Sequence, residues 1–186
     1  MKSCGRYLRQ NYGKAGLWAL LCIALLIGID QYTKHLAAAY LSNVRTIVFI
    51  EGVLDFSLVK NPGAAWGMLS GGRWFFVATT FVVLGYIFYY YPKMPKKRSG
   101  AWGKAGFVLL SAGAAGNLID RLRNEGGYVI DFLRVRFIDF PVFNMADIYV
   151  VTGACILVLT VVFFAKEDKA AAKKSLATHQ GTEDSA

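Results

Sequence analysis

Four long apolar runs constrain this chain more than any other feature. They fall near Leu17–Leu36, Trp74–Tyr91, Trp102–Leu122 and Ala146–Ala165. As helices rising about 1.5 Å per residue, each is long enough to cross roughly 30 Å of hydrocarbon. The spacing predicts an α-helical membrane protein, a four-helix transmembrane bundle. Of 186 residues, 55% are hydrophobic and the mean hydropathy is +0.40, more apolar surface than a water-soluble domain needs. The net charge of +9 does not describe a nucleic-acid face. The basic residues sit in short segments between the runs, which is the pattern of membrane topology, and no nucleic-acid partner is expected.

Those basic segments orient the chain. Lys2, Arg6, Arg9 and Lys14 precede the first run; Lys93, Lys96, Lys97, Arg98 and Lys104 surround the second connection; Lys166, Lys169, Lys173 and Lys174 follow the last run. The positive-inside rule places all three, and hence both termini, in the cytoplasm. The first run is not read as a cleavable leader. Its apolar core has the length of a full span, and Asp30, Lys34 and His35 stand where small residues would mark a cleavage site. Residues 1–165 are expected to form a single domain. The tail, 166–186, is poor in large apolar residues and is expected to be disordered.

The translocated connections have a different texture. Val44–Asn61 is rich in β-branched and aromatic residues on either side of Glu51-Gly52, which predicts a β-hairpin. Tyr128–Phe143 reads as extended chain contributing to the same layer. Open strand edges cannot face lipid, so a small β-rich platform is expected at the outer surface.

Polar side chains inside spans are costly, so their depth is informative. Asp30 lies about 20 Å along the first span, with Lys34 about 6 Å further on the same helix face. Asn117 lies about 22 Å along the third span, with Arg121 again four residues on. Asn144 and Asp147 fall in the first turn of the fourth. Three spans thus carry polar groups to one outer third of the membrane. Each has a plain structural reading as well. Asn144 suits a helix N-cap and Asp147 its first turn, Asp131 an ordinary loop acid, and Asp120 an ion pair or amide network. Asp55 and Asp139 are expected as surface acids. Ser111–Gly116, with small residues throughout, marks the crowded centre of the bundle. Cys4, Cys22 and Cys155 show no metal-binding spacing, and neither a metal nor a cofactor is expected.

These residues fall in boxes. Asp30-Gln31-Tyr32-Thr33-Lys34 fits D-x-x-[ST]-K, Asn61 to Gly67 fits N-x-G-A-A-[FW] followed by Gly, and Gly113 to Arg121 fits G-[GA]-A-x-G-N-x-x-D-R. Val129-Ile130-Asp131-Phe132 and Phe140 to Asp147 complete the set. With these five boxes in order between Ile29 and Phe164, the chain resembles the signal peptidase II (lipoprotein signal peptidase) family, the membrane aspartic peptidases of bacterial lipoprotein maturation. The resemblance implies Asp131 and Asp147 as catalytic aspartates, with Asp30, Lys34, Asn61, Gly63, Asn117, Asp120, Arg121 and Asn144 in supporting or substrate-binding roles. It implies as substrate a prolipoprotein whose lipobox cysteine already carries diacylglyceryl, cleaved before that cysteine. It also implies a multi-pass enzyme of the bacterial inner membrane, surrounded by lipid, monomeric, with its site near the outer leaflet.

The chemistry is consistent with those residue types. Two close carboxylates in a low-dielectric site share a proton, one acting as general base on water while the other polarises the scissile carbonyl. Phe49, Phe56, Trp66 and Trp74 are candidates to close over the peptide. A proton-coupled transporter would carry its acids to the midplane and break its helices there. A non-catalytic scaffold would account for Asp30 and Lys34 but not for two further aspartates at the same outer surface.

Overall fold

The computed structural model describes residues 13–44, 46–63, 68–95 and 98–163. The tail from Lys166, the segment before Gly13 and Ala64–Gly67, with Trp66, lie outside the described residues. Helix α1 (Gly13–Leu41) leads into strands β1 (Ile47–Ile50) and β2 (Leu54–Asn61), followed by α2 (Arg73–Tyr90), α3 (Arg98–Arg123) and β3 (Val129–Val135). Helix α4 runs Met145–Phe163. A 3-10 turn, Tyr91–Lys93, closes α2, because Pro92 has no N–H to continue the helix.

Among the described residues, three helices are long and apolar enough to cross a membrane: α1 from Ala15, α2 with its 3-10 extension, and α4. Their large apolar side chains face outward. Trp18, Leu25, Phe81, Val82, Val151 and Val161 are all exposed, an arrangement that only an apolar surrounding makes favourable.

Of the four runs expected to be strongly apolar, α3 falls short. At 26 residues it has the length, about 39 Å, but small and polar residues dilute it. Its position explains this. Both α1 and α2 pack on α3, and α4 is set against it glycine to backbone. A Cβ at Gly106 would stand 2.8 Å from Leu157, one at Gly153 would stand 2.8 Å from the Gly106 carbonyl, and one at Gly113 would overlap the Ala146 carbonyl. A helix enclosed by its neighbours presents little surface and needs less apolarity than its neighbours do.

The strands form one antiparallel sheet in the order β1-β2-β3. β1 and β2 turn through Glu51-Gly52-Val53, where Gly52 has φ +71°, a conformation that side chains disfavour. Phe56, Leu58, Phe132 and Leu133 pack on Ala37 and Leu41. This is why α1 continues beyond Leu36: its last turn carries the sheet. After β3 the chain bends away and returns to the sheet by a single bridge between Leu133 and Phe143, so the extended stretch to Phe143 is only partly strand.

Asp55 is a correction. It is not a surface acid but is 1% exposed, and its Oδ2 lies 3.1 Å from Arg136 Nη1. It sits on β2 opposite Val48 and Arg134, and strand neighbours distant in the chain do the burying. Asp139 is exposed as expected.

Candidate active site

β3 delivers Asp131 and the first turn of α4 delivers Asp147, and a single residue touches both. Asn144 donates from Nδ2 to Asp131 Oδ1 at 2.6 Å, and its backbone N–H donates to Asp147 Oδ2 at 3.1 Å. In return the Asp147 N–H donates to Asn144 Oδ1 at 3.0 Å. This reciprocal pair is a capping box, which satisfies N–H groups that every helix start leaves free. The structural and functional readings of Asn144 and Asp147 therefore hold together, because different atoms serve each.

The other oxygens are held by amides. Asn61 Nδ2 donates to Asp131 Oδ2 at 2.9 Å, and Asn117 Nδ2 to Asp147 Oδ1 at 2.8 Å. Each amide has its orientation fixed from behind. Asn61 Oδ1 accepts the Gly63 N–H at 3.0 Å. Asn117 Oδ1 accepts Lys34 Nζ at 2.9 Å, and since an ammonium has nothing to accept with, the amide must turn its NH₂ toward Asp147.

Lys34 is 2% exposed and is paired with Asp30 at 3.0 Å and Asp120 at 3.1 Å. Gln31 lies between the two acids, its Nε2 reaching Asp120 Oδ1 at 2.9 Å and Asp30 Oδ2 at 3.1 Å. Arg121 reaches the Gly63 carbonyl at 3.2 Å and the Asn117 carbonyl at 3.3 Å, with its guanidinium 4.6 Å from the centre of the Phe76 ring.

All ten residues singled out in the sequence are thus linked in one network. Gln31 was not among them. Its signal was its place beside Asp30, as an amide at the same depth of an otherwise apolar helix.

Asp131 and Asp147 both face a cavity of about 490 Å³, along with Asn61, Asn117 and Arg121. Its apolar wall comes from Phe140–Phe143 and from Ile148 and Val151 of α4. The aromatic residues expected to close over a substrate are placed differently. Phe49 and Phe56 pack on each other with tilted rings whose centres are 5.1 Å apart, Trp74 receives Arg73, and none of these three lines the cavity. Asp131 is only 2% exposed, and burial pushes its carboxyl up to about 7, reinforced by the Asp147 charge and opposed by the Asn61 and Asn144 hydrogen bonds and by Lys34. Two carboxylates over one cavity, one of them retaining its proton near neutrality, are equipped for acid–base work on a bound water. Among the described residues no cluster of His, Cys, Asp and Glu could hold a metal ion.

Comparison with known proteins points the same way. A family model described as signal peptidase (SPase) II matches residues 22–163. Lipoprotein signal peptidases of Streptococcus pyogenes serotype M6 and of serotype M5 strain Manfredo are each 36% identical over 140 residues, covering 75% of this chain and 90% of theirs. Two solved structures, both described as bacterial membrane enzymes determined by the in meso method, are also similar. One has a TM-score of 0.71 and 29% identity, covering 80% of this chain and 90% of its own. The other has 0.67 and 31%, covering 77% and 91%.

Proposed function

This chain belongs to the signal peptidase II family and is a peptidase that removes signal peptides from prolipoproteins; from that premise we propose that Asp131 and Asp147 are its catalytic pair, cutting before a cysteine that carries diacylglyceryl. The observation that carries this reading is the shared grip of Asn144 on both carboxylates at the edge of one cavity.

The pair has the required freedom. Each carboxylate oxygen accepts one hydrogen bond from the surrounding amides, and a carboxylate offers about four acceptor positions. Lone pairs remain to hold a water over the cavity. The pair shares one proton: the charged member takes a proton from that water, and the protonated member polarises the scissile carbonyl. As the tetrahedral intermediate collapses, the proton taken from water passes to the leaving amide nitrogen. Arg121, on the cavity wall, is placed to steady a substrate carbonyl. The apolar wall of Phe140, Phe143, Ile148 and Val151 suits the hydrophobic part of a signal peptide. Beyond it, the exposed apolar side of α4 offers the acyl chains a continuous path to lipid.

In the membrane, α3 completes a four-span bundle with α1, α2 and α4. Both termini are cytoplasmic, and the sheet lies at the outer surface of the inner membrane. The basic residues before α1 and around the α2–α3 connection support that orientation.

Purified protein in detergent is expected to cleave a diacylglyceryl-modified lipobox peptide, to leave the unmodified peptide intact and to tolerate chelators. Asp131→Asn and Asp147→Asn should each lower kcat by roughly 10⁴-fold or more while the thermal midpoint is retained. Turnover that survives in either variant removes the catalytic pair.

A further inference from the structure

We propose that Asp120 and Asp30 are positioning residues, each holding the backbone N–H immediately before one catalytic aspartate, and that Lys34 joins them so that one buried ammonium sets the separation of the two carboxylates. The inference rests on the catalytic reading of Asp131 and Asp147.

The geometry has two matching arms. Asp120 Oδ2 accepts the N–H of Ile130, the residue before Asp131, at 3.0 Å. Asp30 Oδ1 accepts the N–H of Ala146, the residue before Asp147, at 2.9 Å. Both arms end on Lys34. The ammonium has three N–H groups and three acceptors, Asp30, Asp120 and Asn117, so none is left over. Gln31 ties the same two acids a second time.

An ion pair alone does not require this. Buried charges are weak evidence for stability, and Asp30 could satisfy Lys34 with Oδ2 only. Instead its other oxygen reaches a main-chain donor, and Asp120 shares one oxygen between the cation and another. Both donors would otherwise be orphans. β3 is the outer strand of the sheet, and the chain that returns along it bridges at Leu133 with Phe143 and not at Ile130; the Ala146 N–H lies in the first turn of a helix, where no intrahelical acceptor exists. Charge-assisted bonds in a site closed to water are short and directional. With Asp30 and Lys34 on α1 and Asp120 on α3, the packing of those two helices is carried directly to the backbone at β3 and α4. Positioning matters here because displacement of a reacting group by about 1 Å lowers rate on the order of 10²-fold.

The test separates rate from folding. In Asp120→Asn, kcat per folded enzyme on the diacylglyceryl-modified peptide should fall about 10²-fold with KM changed by less than about twofold, and deuterium exchange at the Ile130 amide should speed up. A second variant covers a failure of Asp120→Asn to fold: an ester in place of the Val129–Ile130 peptide bond deletes the N–H and leaves every side chain intact. It should show the same fall in kcat at unchanged KM. Wild-type kcat in the ester variant overturns the proposal, as does an Asp120→Asn enzyme that loses thermal stability but keeps its kcat. Turnover retained in Asp131→Asn would instead sink the catalytic pair, and this inference with it, whereas an inactive Asp131→Asn beside a fully active ester variant removes the positioning role alone.

Discussion

The two oxygens of Asp147 do different work. Oδ2 accepts the Asn144 N–H and starts a helix, while Oδ1 faces Asn117 at the cavity. Asp131 is held by side-chain amides on both oxygens and is the more deeply enclosed, and its proton has a measurable consequence for stability. Its carboxyl sits at about 7 in the folded protein against an ordinary 3.8, so between those values the folded state binds more protons than the unfolded chain. Stability then falls with rising pH. The contribution is fully present below the unfolded value and is lost as pH passes through the folded one. The thermal midpoint of the wild type should therefore drop, relative to Asp131→Asn, as pH rises from about 4 to about 8. Parallel profiles for the two proteins would place the proton elsewhere.

At the level of the elements, α3 is the member against which the others are set, and its glycines mark where. A Cβ at Gly113 would overlap the Ala146 carbonyl and come within 2.7 Å of Val150, whereas one at Gly85 on α2 would meet nothing within 4 Å. Gly113→Ala should thus destabilise the fold by about 1–3 kcal/mol through overpacking and lower activity by moving the turn that carries Asp147. Gly85→Ala should be neutral or stabilising by up to about 1 kcal/mol. Thermal midpoints in detergent decide between them, and equal shifts would contradict the packing. Helices and sheet were legible in the sequence because each leaves a local trace: a long apolar run, or β-branched residues beside Glu51-Gly52. The enclosure of α3 left only the dilution of its own hydropathy. Asp55 left none, since its burial depends on the pairing of β2 with the strands on either side, and its ion-pair partner Arg136 lies far along the chain. In the site, rise per residue was enough to bring Asp30, Asn117 and Asp147 to matching ends of their helices, where Lys34 and Asn117 join them. The direction of each hydrogen bond was not legible, because it depends on how α1, α3 and α4 are rotated against one another, and the part taken by Gln31 was missed for the same reason.

For the molecule as a whole, the proposed orientation makes a direct prediction. In a background with Cys4, Cys22 and Cys155 replaced, a cysteine at Val53 in the exposed hairpin turn should react with a membrane-impermeant thiol reagent added to spheroplasts. A cysteine at Lys93 should react only after permeabilisation. The opposite pattern would invert the chain in the membrane. The meeting point of the helices also bears on how the enzyme assembles. At Gly116 a methyl group would stand 2.6 Å from Asp30 Oδ2 and 3.2 Å from the Ala146 Cβ, so three helices converge on the space of one hydrogen atom. Sliding α3 by a single residue in either direction brings a side chain into that gap. The packing at Gly116 therefore admits one register of α3 against α1 and α4, the register that also brings Asn117 to Asp147.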